Sequence, residues 1–205
     1  MQIKRIPVGA YAANCYILMD EDTKESAIID PGEDVHNLIK AITDMKARVK
    51  YILLTHGHAD HTGAAVQLKN EFNSPLYINE QDYQMINNGE FMYGDVAGEV
   101  DKYISEGDTF KLGNSEIRCI LTPGHTPGGV CFLVDNMIFT GDTLFAGSIG
   151  RTDLAGGDFD IIIKSIKEKL MKLPDDITVL PGHGSESSIG REKMHNPFLS
   201  DDYPL

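Results

Sequence analysis

Over the first thirty residues apolar side chains come in short runs or at every second position, which is the pattern of strands. It predicts strands over Gln2–Val8, 14–19 and 26–29, parted by Gly/Asn and acidic turns, with Asp30-Pro31-Gly32 ending the third. From Asp34 the period lengthens. Val35, Leu38, Ile39, Ile42 and Met45 lie three or four apart, so the spacing predicts an amphipathic helix with Asp34 as its N-cap. A short strand at 50–54, a helix over 63–72 and a strand at 76–78 follow. Between 81 and 103 the pattern weakens, and glycines and asparagines surround Phe91, Met92 and Tyr93; the stretch 87–103 reads as a long excursion suited to a lid.

Strand patterns return at Thr109–Leu112, 116–121, Val130–Val134 and 137–140, with Asp135-Asn136 as a tight hairpin turn. Phe159, Ile162, Ile163, Ile166, Leu170 and Leu173 then make a helical stripe that opens at Asp158 and stops before Pro174. A strand at 177–180 and a helix over 187–195 close the chain's pattern. Each half runs strands and then helix, which predicts a layered α/β or α+β fold with helices outside a sheet core. No Pro-, Ser- or Gly-rich linker divides it, so residues 1–205 are expected to form a single domain.

Composition narrows the function. The 41% hydrophobic and 24% charged content is that of a globular protein. No apolar run reaches the ~18 residues of a membrane span, and no signal-peptide core is present near the N-terminus, so the expected location is cytoplasmic, away from any membrane. Eighteen basic against 31 acidic residues leave a net charge of −13, a surface that repels phosphate backbones; nucleic acid is not an expected partner. Cys15, Cys119 and Cys131 are too few and irregular for a disulfide framework and read as buried thiols.

Three segments share one design, an apolar strand ending in a turn that delivers a histidine: Tyr51 to His58, Cys119 to His125 and Thr178 to His183. A fourth, Met137 to Asp142, delivers an aspartate. If these strand ends meet at one edge, their side chains converge. The densest piece is Thr55-His56-Gly57-His58-Ala59-Asp60-His61, a string expected by chance in roughly 1 of 1,000 such chains. Alternate residues of an extended segment point the same way, so His56 and His58 can share one metal, while a turn into helix sends Asp60 and His61 to a neighbouring position. Imidazole and carboxylate without thiolate suit zinc, iron or manganese rather than a structural Cys-rich zinc site; of these, zinc is the expected metal. Thr55, Thr122 and Thr140 each precede one of these segments' ligands and could orient it. His36 and His195 match nothing in the pattern and are expected at the surface.

From Asp30 to His183 the chain resembles the metallo-β-lactamase superfamily and, within it, the hydroxyacylglutathione hydrolase (glyoxalase II) branch. The resemblance implies a four-layer αββα sandwich with a metal site at one edge of the two sheets. It implies two divalent metal ions, one held by His56, His58 and His125, the other by Asp60, His61 and His183, with Asp142 bridging. Asp30 would support the ligands from behind, and Arg151, in the glycine-rich run Gly147 to Gly157, would bind a substrate carboxylate. Two such ions supply hydroxide at neutral pH and polarise a carbonyl, with Asp60 or Asp142 able to accept a proton. The Asp60-His61 pair is unlike the class B β-lactamases, which moves lactam hydrolysis down the order. The long glyoxalase II enzymes add a C-terminal helical segment that contacts glutathione, whereas this sequence stops about twenty residues after His183 and looks closer to the short glyoxalase II-like hydrolases.

The leading reading is therefore a binuclear metal-dependent hydrolase acting on a small-molecule acyl thioester. Its rivals are a mononuclear iron persulfide dioxygenase, which shares the ligand string and a segment like Gly150-Arg151-Thr152-Asp153, and a lactonase or phosphodiesterase on the same scaffold. The Gly141-Asp142-Thr143-Leu144-Phe145 segment favours the hydrolase branch. A purely structural metal site fits poorly, since seven candidate ligands exceed the four that structural zinc needs.

Overall fold

The computed structural model describes residues 1–200 as two six-stranded sheets with helices on their outer faces. In the first sheet β1 (Gln2–Val8), β2 (Ala13–Met19), β3 (Glu25–Ile29), β4 (Arg48–Leu53), β5 (Leu76–Asn79) and β6 (Lys102–Ile104) lie side by side in chain order. β1 to β3 form an antiparallel meander, and β3 to β6 pair in parallel. Parallel neighbours need crossover connections. These are α1 (Val35–Asp44), then α2 (Ala59–Thr62) with α3 (Ala65–Phe72), then α4 (Glu80–Asn87).

The second sheet holds β7 (Thr109–Leu112), β8 (Ser115–Leu121), β9 (Val130–Val134) and β10 (Met137–Gly141) as an antiparallel run. A small hairpin, β11 (Leu144–Phe145) and β12 (Ser148–Ile149), and α5 (Phe159–Glu168) come next. β13 (Thr178–Pro181) then joins β10 in parallel, β14 (Ser187–Ser188) pairs on its far side, and α6 (Ile189–His195) follows.

Three apolar layers hold the sandwich together. Ile17, Ile28, Ile52 and Ile78 of the first sheet meet Leu38 and Ile42 of α1 and Leu68 of α3. Their chain neighbours Leu18, Ile29 and Leu53 point the other way, between the sheets, against Phe110, Ile117, Phe132 and Phe139. Ile120, Cys131, Ile138 and Val179 then meet Ile162 and Ile166 of α5 and Ile189 of α6. This is the four-layer αββα arrangement the resemblance implied. Strands buried on both faces read as unbroken apolar runs, and all seven residues of β2 are buried.

Several expectations need correction. Asp34 occupies the N-cap position of α1, as expected, but in the left-handed region and without a side-chain capping bond: its carboxylate accepts instead from the Gly9 amide at 2.9 Å, tying the β1–β2 turn. Asp158 does cap α5, accepting from the Ile161 amide at 2.9 Å. The helix expected over 63–72 is α3, Ala65–Phe72, preceded by the unexpected short helix α2, and the stripe beyond Glu168 tightens to a 3-10 turn, Leu170–Lys172. Helix α4 was not expected, because its buried positions are Asp82 and Ile86, and a carboxylate on the inner face breaks the apolar period. The stretch read as a lid is stitched down in its middle. Met92 O accepts from Ala59 N, Gly57 O accepts from Gly94 N, and the Tyr93 hydroxyl donates to Ala155 O, so it forms a wall of the site. Cys15, Cys119 and Cys131 are buried free thiols, as expected. Among the described residues no helix is long and apolar enough to cross a membrane.

The layering carries a quantitative expectation. Phe132→Ala, in the layer between the sheets, should lower unfolding free energy by about 3–5 kcal/mol, as truncation of a core aromatic does. Ile161→Ala, on the outer face of α5, should cost less than about 1 kcal/mol. Denaturant titration of both variants checks this, and equal losses would contradict the layer assignment.

Candidate metal centre

Strands β8, β10 and β13 run in one direction, so their ends share an edge of the second sheet. The two sheets are hydrogen-bonded to each other there. Val130 N donates to Thr55 O at 2.8 Å and Asn14 N to Gly182 O at 2.7 Å, while within the second sheet Gly182 N donates to Gly141 O at 2.8 Å. The turns that follow β4, β8, β10 and β13 are thereby held against one another, and all seven sequence-nominated His and Asp side chains meet in the seam.

They form two groups with their donor atoms in mutual reach. One is His56, His58 and His125, all buried, with His58 Nδ1 and His125 Nε2 3.0 Å apart. The other is Asp60, His61 and His183: His183 Nε2 lies 3.2 Å from both His61 Nε2 and Asp60 Oδ2. Asp142 reaches into both, its Oδ1 3.5 Å from His61 Nε2 and its Oδ2 3.6 Å from His125 Nε2 and 3.5 Å from His183 Nε2.

Each imidazole except that of His58 is oriented through its far nitrogen. His125 Nδ1 donates to Arg151 O at 2.7 Å and His183 Nδ1 to Tyr11 O at 3.2 Å. Asp30 is the hub behind the other two. Its carboxylate accepts from the Thr55 amide at 2.7 Å, the Thr55 hydroxyl at 2.6 Å and His61 Nδ1 at 3.0 Å. Because the Thr55 hydroxyl spends its proton on Asp30, its lone pair is left for His56 Nδ1–H, 3.0 Å away. Asp30 adopts φ 50°, a left-handed conformation that aspartate tolerates, and so turns its carboxylate back beneath the site.

This network assigns the protons. His61 and His183 both donate through Nδ1, so their Nε2 atoms, 3.2 Å apart, are left to share something positive, a proton in the metal-free protein or a metal cation in its place. In addition His56 Nε2, His58 Nε2 and Asp142 Oδ1 are buried with no hydrogen-bond partner. Zinc held at ~2.0–2.1 Å by tetrahedral ligands separates its donors by about 3.3 Å, close to the spacings here. The residues present fit a pair of divalent cations.

The electrostatics of the two groups differ. Burial, followed by the neighbouring imidazoles, pushes His56 well below the usual histidine range, and pushes His58 down to about 3. His125 is lowered too, chiefly by burial. Burial also acts downward on His61, but Asp142, Asp30 and Asp60 outweigh it and raise that ring to about 9. His183 goes up for the same reason, with Asp60 and Asp142 overcoming burial. Burial would raise Asp60, yet its bond to His183 and the charge of His61 bring it down to about 2.

Two glycines are required by this crowding. A Cβ on Gly182 would stand 2.2 Å from Asp142 Oδ1, and Gly141 combines φ 47° with a Cβ position 2.3 Å from the Thr55 hydroxyl.

Of the threonines, only Thr55 touches a candidate ligand. Thr122 bonds Cys131 and Thr143, and Thr140 donates to Leu144 O, so neither bonds a candidate ligand. Arg151 lines the cavity, with its guanidinium paired to Asp153 through two 2.7 Å bonds. His36 and His195 are exposed, as expected. Three residues the sequence did not nominate also bear on the site. Asn14 donates to Pro181 O and Gly184 O around His183, the Tyr93 ring packs on His58, and Asp82 is buried behind Gly57. Each is a polar or aromatic residue on an element whose own pattern says nothing of a site; the one visible signal is Asp82 falling midway between Ile78 and Ile86 on a four-residue stripe.

A cavity of about 380 Å³ opens onto both groups, walled by Tyr11, Met92, Phe145, Ile149 and Leu154. Known proteins share this architecture. The hydroxyacylglutathione hydrolase GloC of Haemophilus influenzae is 41% identical over 212 residues, covering 98% of this chain and 99% of that protein. Among solved structures, the BLEG-1 B3 metallo-beta-lactamase superimposes with a TM-score of 0.89 at 34% identity, covering 97% of this chain and all of its own. TTHA1623, solved in a di-iron-bound form, gives a TM-score of 0.84 at 30% identity over 96% of this chain and 100% of that one. The sequence profile of the metallo-beta-lactamase superfamily spans residues 8–183, from the end of β1 to the last histidine of the pocket, and the chain belongs to that superfamily.

Proposed function

We propose that this metal-dependent hydrolase is binuclear, works as one domain and opens small acyl thioesters. His56, His58 and His125 would hold one divalent cation, Asp60, His61 and His183 the other, and Asp142 would lie between them. The observation that carries the reading is the convergence of two groups of three donors, with His56 Nε2, His58 Nε2 and Asp142 Oδ1 buried and unpartnered among them. Zinc is the first choice of metal on donor chemistry, with iron or manganese as alternatives. Two such cations bound here supply hydroxide at neutral pH and polarise a carbonyl.

The protein's own groups do the rest. Asp60 is ionised at neutral pH and, with Asp142, is placed to take a proton from the attacking group. Tyr11, Met92 and Phe145 offer an apolar bed for the acyl or thiol portion and exclude water from it. Arg151 stands at the rim as the one cation among the cavity's lining residues outside the histidines. Its bond to Asp153 is an exposed pair, worth little net, so a substrate carboxylate can exchange for Asp153. The likeness to a hydroxyacylglutathione hydrolase supports a 2-hydroxyacyl thioester of glutathione or of a comparable thiol.

Elemental mass spectrometry after dialysis should find about two metal ions per chain, and the loaded protein should release thiol from a panel of such thioesters faster than it opens lactones, β-lactams or phosphodiesters. Asp142→Ala should lower that turnover by roughly 10²–10⁴-fold with the fold retained by circular dichroism. One iron per chain with oxygen uptake on glutathione persulfide would replace this reading with a dioxygenase.

The raised and lowered imidazoles predict unequal proton linkage. His61, held up at about 9, carries a proton at pH 7 in the metal-free protein and must lose it to bind metal, whereas His56, His58 and His125 are already neutral. Calorimetric titration at pH 7 in buffers of different ionisation enthalpy should show proton release with one metal equivalent and almost none with the other. Lowering the pH from 8 to 7 should weaken the first of these about tenfold for each proton displaced. Identical pH dependence of both equivalents would contradict the assignment.

A further inference from the structure

Asp82 lies in the first turn of α4 with no exposed surface. Its carboxylate accepts three hydrogen bonds, from the Gly57 amide at 2.7 Å and the Thr126 hydroxyl at 2.8 Å on Oδ2, and from the Gly128 amide at 2.6 Å on Oδ1. All three donors are uncharged, and they come from two turns far apart in the chain. Gly57 sits between His56 and His58, while Thr126 and Gly128 directly follow His125. Asp60, His61, Asp142 and His183 are not among its partners.

The fit is tight on both sides. A Cβ on Gly128 would stand 2.7 Å from the Asp82 amide and from Oδ1, and one on Gly57 would stand 2.9 Å from the Tyr93 ring and 3.3 Å from Asp82 Cβ. At these two positions a side chain would crowd the carboxylate or the Tyr93 ring. An acceptor-only group with room for several donors is what two amides and a hydroxyl converging on one point require. An amide side chain cannot serve all three, since one of its ends would face a donor with N–H.

We propose that Asp82 is a positioning residue for one of the two cations: it fastens the turn carrying His56 and His58 to the turn carrying His125, so that three imidazoles converge before any cation arrives. The inference rests on the binuclear reading above and assigns the preorganisation of one half of that centre to a residue outside it. Asp30 differs, because it supports His56 and His61 and so serves both halves.

The test is metal affinity, read by competition with a chromophoric chelator, which resolves the two equivalents. Asp82→Asn should weaken one equivalent by roughly 10–100-fold, the range for groups that orient ligands, and leave the other unchanged. In a His183→Ala background the surviving equivalent should weaken by the same factor. In a His58→Ala background the surviving equivalent should not respond, since the remaining site makes no contact with Asp82. Thr126→Val, which deletes a single hydroxyl, should act in the same direction by a smaller factor, and it replaces Asp82→Asn if that variant fails to fold. Unchanged affinities, or equal weakening of both equivalents alongside a lowered melting temperature, would overturn the proposal and leave Asp82 a structural residue. A wild-type protein that binds no metal would instead overturn the functional reading itself.

Discussion

Two neutral imidazoles cannot rest with their lone pairs 3.2 Å apart unless something positive lies between them, and the surroundings of His61 and His183 hold them there. Asp30 claims the Nδ1 proton of one, and the Tyr11 carbonyl claims that of the other. Neither ring can turn away without abandoning a bond made behind it. The strain of facing donors is tolerable because Asp60 and Asp142 stand beside them and make a cation welcome. The same carboxylates that attract a proton in the empty site attract a metal when one is offered, so the site is a cation trap before it is a catalyst.

The sandwich exists to bring that arrangement to a seam. Neither sheet carries the whole set: His56, His58, Asp60 and His61 follow β4 of the first, whereas His125, Asp142 and His183 follow β8, β10 and β13 of the second. The apolar layer between the sheets fixes their spacing, and the backbone bonds from Val130 to Thr55 and from Asn14 to Gly182 close the edge. Packing density in that layer is thus transmitted to ligand geometry, because close-packed interiors pass displacements on rather than absorbing them.

Much of this was legible in the sequence, for reasons that also explain what was not. Ligands announce themselves when they are clustered, as in His56 to His61, or when they repeat a local design, as the strand-end histidines do. The apolar runs point no further than a layered α/β or α+β fold, and the four αββα layers rest on the family resemblance. The groups that brace the ligands carry no such mark. Asp34 takes the N-cap position but spends its carboxylate on Gly9; Thr122 and Thr140 look like Thr55 but bond no ligand. Asp82 hides α4 altogether, since the periodicity that reveals a helix is the periodicity its carboxylate interrupts. In each case the decisive partner lies far along the chain, and a one-dimensional pattern records neighbours only.

The order of the ligands along the chain also bears on how the protein is made. The three-imidazole group is complete when His125 has been synthesised, but the second group waits for His183. A growing chain emerging from a ribosome therefore presents one finished set of metal donors while the other is still missing its last member. The single strand β13, entering beside β10 and bringing His183 to Asp60 and His61, is the step that completes the second group of donors. The order in which the two donor groups are completed is thus set by which turn is translated last.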